Sequence, residues 1–115
     1  MSNWMLYGLL LVNIVLLLAG QIVWKNALGS MNSLSLTNLL TSPGIYWGGV
    51  LYVFATAVWF VILRNSKLSV AYPMQSLAYV LGIVAAYAIF HESIPVTRWI
   101  GALVIIAGVW LISLD

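Results

Sequence analysis

Charged residues are scarce in this sequence, and cysteine is absent altogether. The 115 residues include four Lys or Arg, two Asp or Glu, one His and no Cys. Without cysteine there is no disulfide, thiol or Cys–metal chemistry, and a single histidine does not make a metal site by itself. Four basic residues are too few for a nucleic-acid surface. We therefore expect no nucleic-acid partner, no metal, no cofactor and, with no set of catalytic side chains, no enzymatic activity.

The sequence is instead dominated by apolar residues. They make up 64% of the chain, and the mean hydropathy is +1.12. A soluble domain of this size does not bury that much apolar surface. Four apolar runs, each close to the ~20 residues that span a bilayer, lie at about residues 4–24, 45–63, 70–90 and 96–114. The sequence predicts a single all-α, multi-pass membrane domain over residues 1–115, with a short interfacial helix over residues 34–40 between the first two runs.

The third run carries more polar side chains than the others. Spacing at i, i+3, i+4 and i+7 places four of them on one helix face: Tyr72, Gln75, Ser76 and Tyr79. We expect Pro73 in the first turn of this helix, where a missing N–H is tolerated. Polar groups at hydrocarbon depth turn away from lipid. This face is therefore either a substrate-contacting surface or a set of interhelical hydrogen bonds.

The first run offers a second polar set, formed by Asn13, Gln21 and Lys25. Lys25 follows Gln21 by one helical turn, so an ammonium and an amide can lie side by side near one interface. Such a pair could bind a lipid phosphate or pyrophosphate. The alternative is a lysine that ends the helix and extends its ammonium to the headgroups as an anchor.

Two further features lie near the fourth run. Glu92 is a candidate gate or proton-linked group that pairs with Arg98; the alternative is a solvated loop carboxylate. Gly101 and Gly108 are one heptad apart and share a helix face. They predict either a dimer seam or a packing seam within the bundle.

The distribution of basic residues specifies orientation weakly. With four spans, Arg64 and Lys67 lie on one side of the membrane, and Lys25 and Arg98 lie on the other. The chain either inserts with its N-terminus inside or inserts both ways and pairs with an inverted copy. Because many transporters bind substrate between two inverted repeats, a four-span chain offers half of such a unit. We expect a homodimer, or a heterodimer with a similar four-span protein.

Several segments, taken in order, resemble the small four-span members of the drug/metabolite transporter superfamily, which includes EamA-like and small-multidrug-resistance-like proteins. These segments are residues 19–25 (AGQIVWK), 70–77 (VAYPMQSL), 91–92 (HE) and 98–109 (RWIGALVIIAGV). The resemblance covers nearly the whole chain. It favours a dimer seam at the fourth helix, because small members of the superfamily dimerise there.

Within the superfamily, the chain most resembles the subunits of the flippase for aminoarabinose linked to undecaprenyl phosphate. This resemblance implies an inner-membrane protein that moves a lipid-linked sugar by alternating access, with membrane lipid as its partner. The small-multidrug-resistance branch, which exports cations in exchange for protons, carries a membrane Glu two turns before the lysine. Leu17 occupies that position here, which argues against this alternative. A second alternative is a membrane subunit that stabilises a partner without transporting anything.

Overall fold

The computed structural model describes residues 3–114, which form helices and no strand. The helices are α1 (Asn3–Gly29), α2 (Leu36–Thr41), α3 (Pro43–Asn65), α4 (Leu68–Met74), α5 (Leu77–Ala88) and α6 (Val96–Ser113). Four segments are long and apolar enough to cross a membrane, namely α1, α3, the run from α4 through α5, and α6. The predicted all-α fold with four spanning helices is confirmed.

The helix boundaries differ from the expected ones mainly in α1. This helix continues through Gly29, so Lys25 lies inside its last turns rather than at its end. The short helix expected over residues 34–40 is α2, which Ser35 caps by accepting a hydrogen bond from the Asn38 N–H at 3.2 Å. Pro43 then opens α3 at a position where a missing N–H costs nothing.

The third span is broken rather than continuous, and the expected place of Pro73 was wrong. The helix begins at Leu68, directly after the short connection from α3, so Pro73 lies near the end of α4 instead of in its first turn. Pro73 has no N–H to donate, and the chain tightens there: the Ser76 N–H bonds the Pro73 carbonyl at 3.0 Å. Gln75 and Ser76 therefore form a turn between α4 and α5.

Helices α1 and α3 pack closely because glycines lie at their crossing. A Cβ on Gly20 would lie 2.6 Å from the Tyr52 ring, and a Cβ on Gly48 would overlap the Trp24 indole. The two rings stack with centroids 4.4 Å apart. The Trp24 indole N–H donates to the Ile45 carbonyl at 3.0 Å. Aromatic side chains thus occupy the space that the absent Cβ atoms leave.

A second packing region, away from the crossing of α1 and α3 at Gly20 and Gly48, is an apolar cluster that joins all four spans. Its buried members are Leu10, Ile62, Ala71, Met74 and Val109. Many large apolar residues outside it are exposed. In a membrane these side chains face lipid, which is as apolar as they are.

Candidate functional site

A cavity of about 890 Å³ lies between α1, α3, the α4–α5 run and the start of α6. This volume falls in the usual range for small-molecule sites. Its polar and charged lining comes from all four spans and the loop before α6: Gln21, Tyr52, Tyr72, Gln75, Ser76, Tyr79, Glu92 and Arg98. Apolar side chains such as Leu17 and Ile83 complete the wall. Residues 3–114 hold no group of three or more His, Asp or Glu that could bind a metal.

The polar face of the third span lines this cavity, as its spacing suggested. Gln75 and Ser76 lie half-buried at the break between α4 and α5. Tyr72 and Tyr79 are 63% and 70% exposed, and neither hydroxyl has a hydrogen-bond partner within the described residues. The break turns the two halves of this face toward one space. Interhelical hydrogen bonding accounts for Gln75 alone among the four.

Asn13 lies behind the cavity and not on its surface. It is 1% exposed, and its side-chain amide donates to the Ala55 carbonyl at 2.8 Å. Its Oδ1 then accepts from the Gln75 amide nitrogen at 2.7 Å. This chain of bonds fixes which atom of Gln75 is used as donor, and it leaves the Gln75 Oε1 as the acceptor. The structure thus gives Asn13 the position of a residue that orients Gln75.

Gln21 lines the cavity together with Tyr52, a residue that the sequence analysis did not single out. The Gln21 amide donates to the Tyr52 hydroxyl. The only signal in the sequence was a phenol in the middle of the second span, too deep for the aromatic belt. The stacked Trp24 ring holds Tyr52 from behind.

Glu92 and Arg98 line one end of the cavity. Lys25 is not among the lining residues, but it lies beside Glu92. Lys25 Nζ lies 3.9 Å from Glu92 Oε2 and 5.3 Å from the centroid of the Phe90 ring. Both charged side chains are about half exposed, at 57% and 43%. In the described residues Glu92 pairs with Lys25 and not with Arg98, which corrects the expected pair: the loop after α5 turns the carboxylate toward α1.

A left-handed residue aims Glu92 at this site. His91 has φ of 55°, the one positive φ among the non-glycine residues of the described chain. The turn brings the Glu92 N–H onto the Ala86 carbonyl at 3.0 Å. The backbone of α5 therefore fixes where the carboxylate emerges.

Substituting His91 tests this turn. A β-branched residue is strained at positive φ, so His91→Val should destabilise the protein by about 1–2 kcal/mol. His91→Gly removes the Cβ that makes this conformation costly and should match or exceed the wild-type stability. Reversible unfolding of the purified protein in mixed detergent micelles measures both. Equal stabilities of the two variants would contradict the role of the turn.

The two glycines of α6 lie apart from the cavity. A Cβ added to Gly101 or Gly108 would meet no atom within 4 Å. The α6 residues that pack inward are their neighbours Ala102 and Val109. Packing within the bundle therefore does not explain the glycine pair, and its face lies on the outside of the described helices.

Comparison with known proteins gives curated relatives along the whole chain. A probable 4-amino-4-deoxy-L-arabinose-phosphoundecaprenol flippase subunit ArnE from Pseudomonas fluorescens (strain Pf0-1) is 33% identical over 115 residues, covering 98% of this chain and 97% of the relative. The same-named protein of Salmonella heidelberg (strain SL476) is 31% identical over 117 residues, covering 90% and 97%. The chain belongs to the ArnE flippase-subunit family. No protein-family model matches the sequence, and no solved structure matches it.

Family membership confirms the resemblance seen in the sequence. Together with the four apolar helices, it makes the chain a multi-pass inner-membrane protein of the small drug/metabolite transporter class. The named role of the relatives is transport rather than catalysis.

Proposed function

We propose that this chain is one subunit of a flippase that moves a sugar linked to undecaprenyl phosphate across the inner membrane. The observation that carries the proposal is the cavity, which joins hydroxyl and amide groups at mid-span to Glu92 and Arg98 at one end, with Lys25 beside Glu92. The names of the relatives supply the substrate class.

The cavity suits a headgroup that is polar but attached to a lipid. Tyr72, Ser76 and Tyr79 offer hydroxyls, and the Gln75 Oε1 offers an acceptor, which together match the donors and acceptors of a sugar. Lys25 and Arg98 offer cations for the phosphate. The polyprenyl tail would stay in the bilayer against the exposed apolar faces.

Transport would follow alternating access between two protomers that rock around a shared cavity. The relatives are named as subunits, which favours a second, similar four-span chain as the partner. The α6 face with Gly101 and Gly108 is open and free of packing within the chain, so we assign the dimer contact to it. Small residues let two helices approach closely in lipid.

Proton-coupled export of cations fits the cavity less well. That chemistry needs a carboxylate within the membrane that exchanges a proton for the cation. Leu17 lines the cavity at the first-span position in question. The one carboxylate among the lining residues, Glu92, lies at the charged end and pairs with Lys25.

Lys25→Gln tests the proposal in liposomes that contain the complex with its partner and the lipid-linked amino sugar. Flipping is followed by the reaction of the sugar amine with an impermeant reagent added outside. Removing a charge-assisted bond to phosphate costs about 1.5–3 kcal/mol, so the rate should fall about tenfold or more.

The matched control is Lys67→Gln, an exposed lysine at the start of α4 on the opposite side of the membrane. It should leave the rate within about twofold, because exposed surface charges contribute little. A wild-type rate for Lys25→Gln in a fully assembled complex would overturn the phosphate site and favour a non-transporting subunit.

A further inference from the structure

The charged end of the cavity holds one group that a plain anion site would not contain. Lys25 and Arg98 suit a phosphate, but Glu92 is the ion-pair partner of Lys25 and lines the cavity with Arg98. A carboxylate this close repels a phosphate and competes with it for the ammonium. Binding of a simple phosphate lipid would be tighter without it.

The backbone around Glu92 is held in a defined turn. The left-handed His91 and the bond from the Glu92 N–H to the Ala86 carbonyl set where the side chain begins. Its carboxylate is 43% exposed and therefore accessible to a ligand in the cavity. An accessible carboxylate that pairs with Lys25 and lines the cavity with Arg98 forms a site with charges of both signs.

We propose that Glu92 is the specificity-determining residue of this site and selects headgroups that carry an amine as well as a phosphate. This inference rests on the proposed flippase function. In the empty site Lys25 neutralises Glu92. When a headgroup with both charges enters, its phosphate takes Lys25 and Arg98, and its ammonium replaces Lys25 as the partner of Glu92.

The exchange requires little rearrangement of the protein. Lys25 is 57% exposed and rests over the Phe90 ring, so its long side chain can turn toward a phosphate while its stem stays packed. Lys25 and Glu92 each have a partner before and after the exchange, and Arg98 gains one, so binding leaves neither carboxylate nor ammonium unpaired. A headgroup without the amine would leave Glu92 unpaired when it takes Lys25.

Calorimetric titration of the detergent-purified complex with two soluble phosphates tests this role. The probes are 4-amino-4-deoxy-L-arabinose 1-phosphate and L-arabinose 1-phosphate, which differ only at the amine. Wild type should bind the aminated phosphate about tenfold tighter, as expected for one charge-assisted pair. Glu92→Gln should abolish this preference, by weakening the aminated ligand and strengthening the other.

Two further variants separate selection from a general effect on the site. Glu92→Asp keeps the carboxylate and should retain part of the preference. Arg98→Gln should weaken both ligands severalfold and leave their ratio unchanged, because it removes a phosphate contact only.

Distinct results would overturn the inference. If Glu92→Gln kept the tenfold preference for the aminated phosphate, a group other than Glu92 would bind the amine. If Glu92→Gln bound both ligands more weakly by the same factor, Glu92 would only position Lys25. If it bound both more tightly by the same factor, Glu92 would be only a counter-ion to Lys25. If wild type bound both phosphates equally, the role of Glu92 would fail while the flippase function stood. If it bound neither and flipped no lipid, the proposed function would fail with it.

Discussion

Asn13→Leu is expected to lower the free energy of unfolding by about 1–3 kcal/mol and to slow flipping about tenfold. Leucine fills the same space but cannot accept from the Gln75 amide, which is then left half-buried without its partner. The Ala55 carbonyl also loses this side-chain donor. Gln75 would be free to turn its amide, so the cavity would no longer present a fixed acceptor.

A double-mutant cycle isolates this interaction. Gln75→Leu removes the group that Asn13 orients, and in the double variant neither polar side chain is left alone. The double variant should therefore lose less unfolding free energy than the two single variants lose in total. The difference, which is the coupling energy, should be about 0.6–1.7 kcal/mol, as measured for hydrogen bonds within membranes. Unfolding in mixed micelles gives the stabilities, and the liposome assay gives the rates.

Asn65→Leu is the matched control for the Asn13 substitution. Asn65 is exposed at the end of α3 and bonds only the Val61 carbonyl of its own helix. Its replacement should change stability by less than about 0.5 kcal/mol. Strict additivity of Asn13→Leu and Gln75→Leu, or a wild-type flipping rate for Asn13→Leu, would contradict the orienting role.

Gly48→Ala is expected to destabilise the protein by about 1–3 kcal/mol, although it adds only one methyl group. That methyl would overlap the Trp24 indole. The ring cannot move aside at low cost, because it donates to the Ile45 carbonyl and stacks on Tyr52. Overpacking of this kind forces side chains from their rotamers or pushes α1 and α3 apart.

The adjacent glycine provides an internal control. A Cβ on Gly49 would meet no atom within 4 Å, so Gly49→Ala should be neutral or slightly stabilising, because alanine favours helices. Tryptophan fluorescence and unfolding in mixed micelles compare the two variants. Since Tyr52 holds Gln21 at the cavity, Gly48→Ala should also reduce flipping. Equal behaviour of the two variants would contradict the assigned packing.

Much of the cavity wall was predictable because one span, α4 through α5, carries it. Tyr72, Gln75, Ser76 and Tyr79 share a face by helical spacing alone, and the structure brings all four to one cavity. Asn13 and Tyr52 show where such reasoning ends. Spacing gives the face of a helix on which a residue lies, but it does not say whether that face meets a neighbour, as for Asn13, or a cavity, as for Tyr52.

By itself the sequence determined the membrane fold, the four spans and the family. The physical reason is that a bilayer tolerates only chains that satisfy their own backbone, so long apolar runs must be helices. Only the tertiary structure decided that Asn13 lies behind the site, that the third span breaks after Pro73, and that Glu92 pairs with Lys25. These outcomes depend on which helix faces meet and on one left-handed turn at His91, and neither is written in the spacing of a single helix.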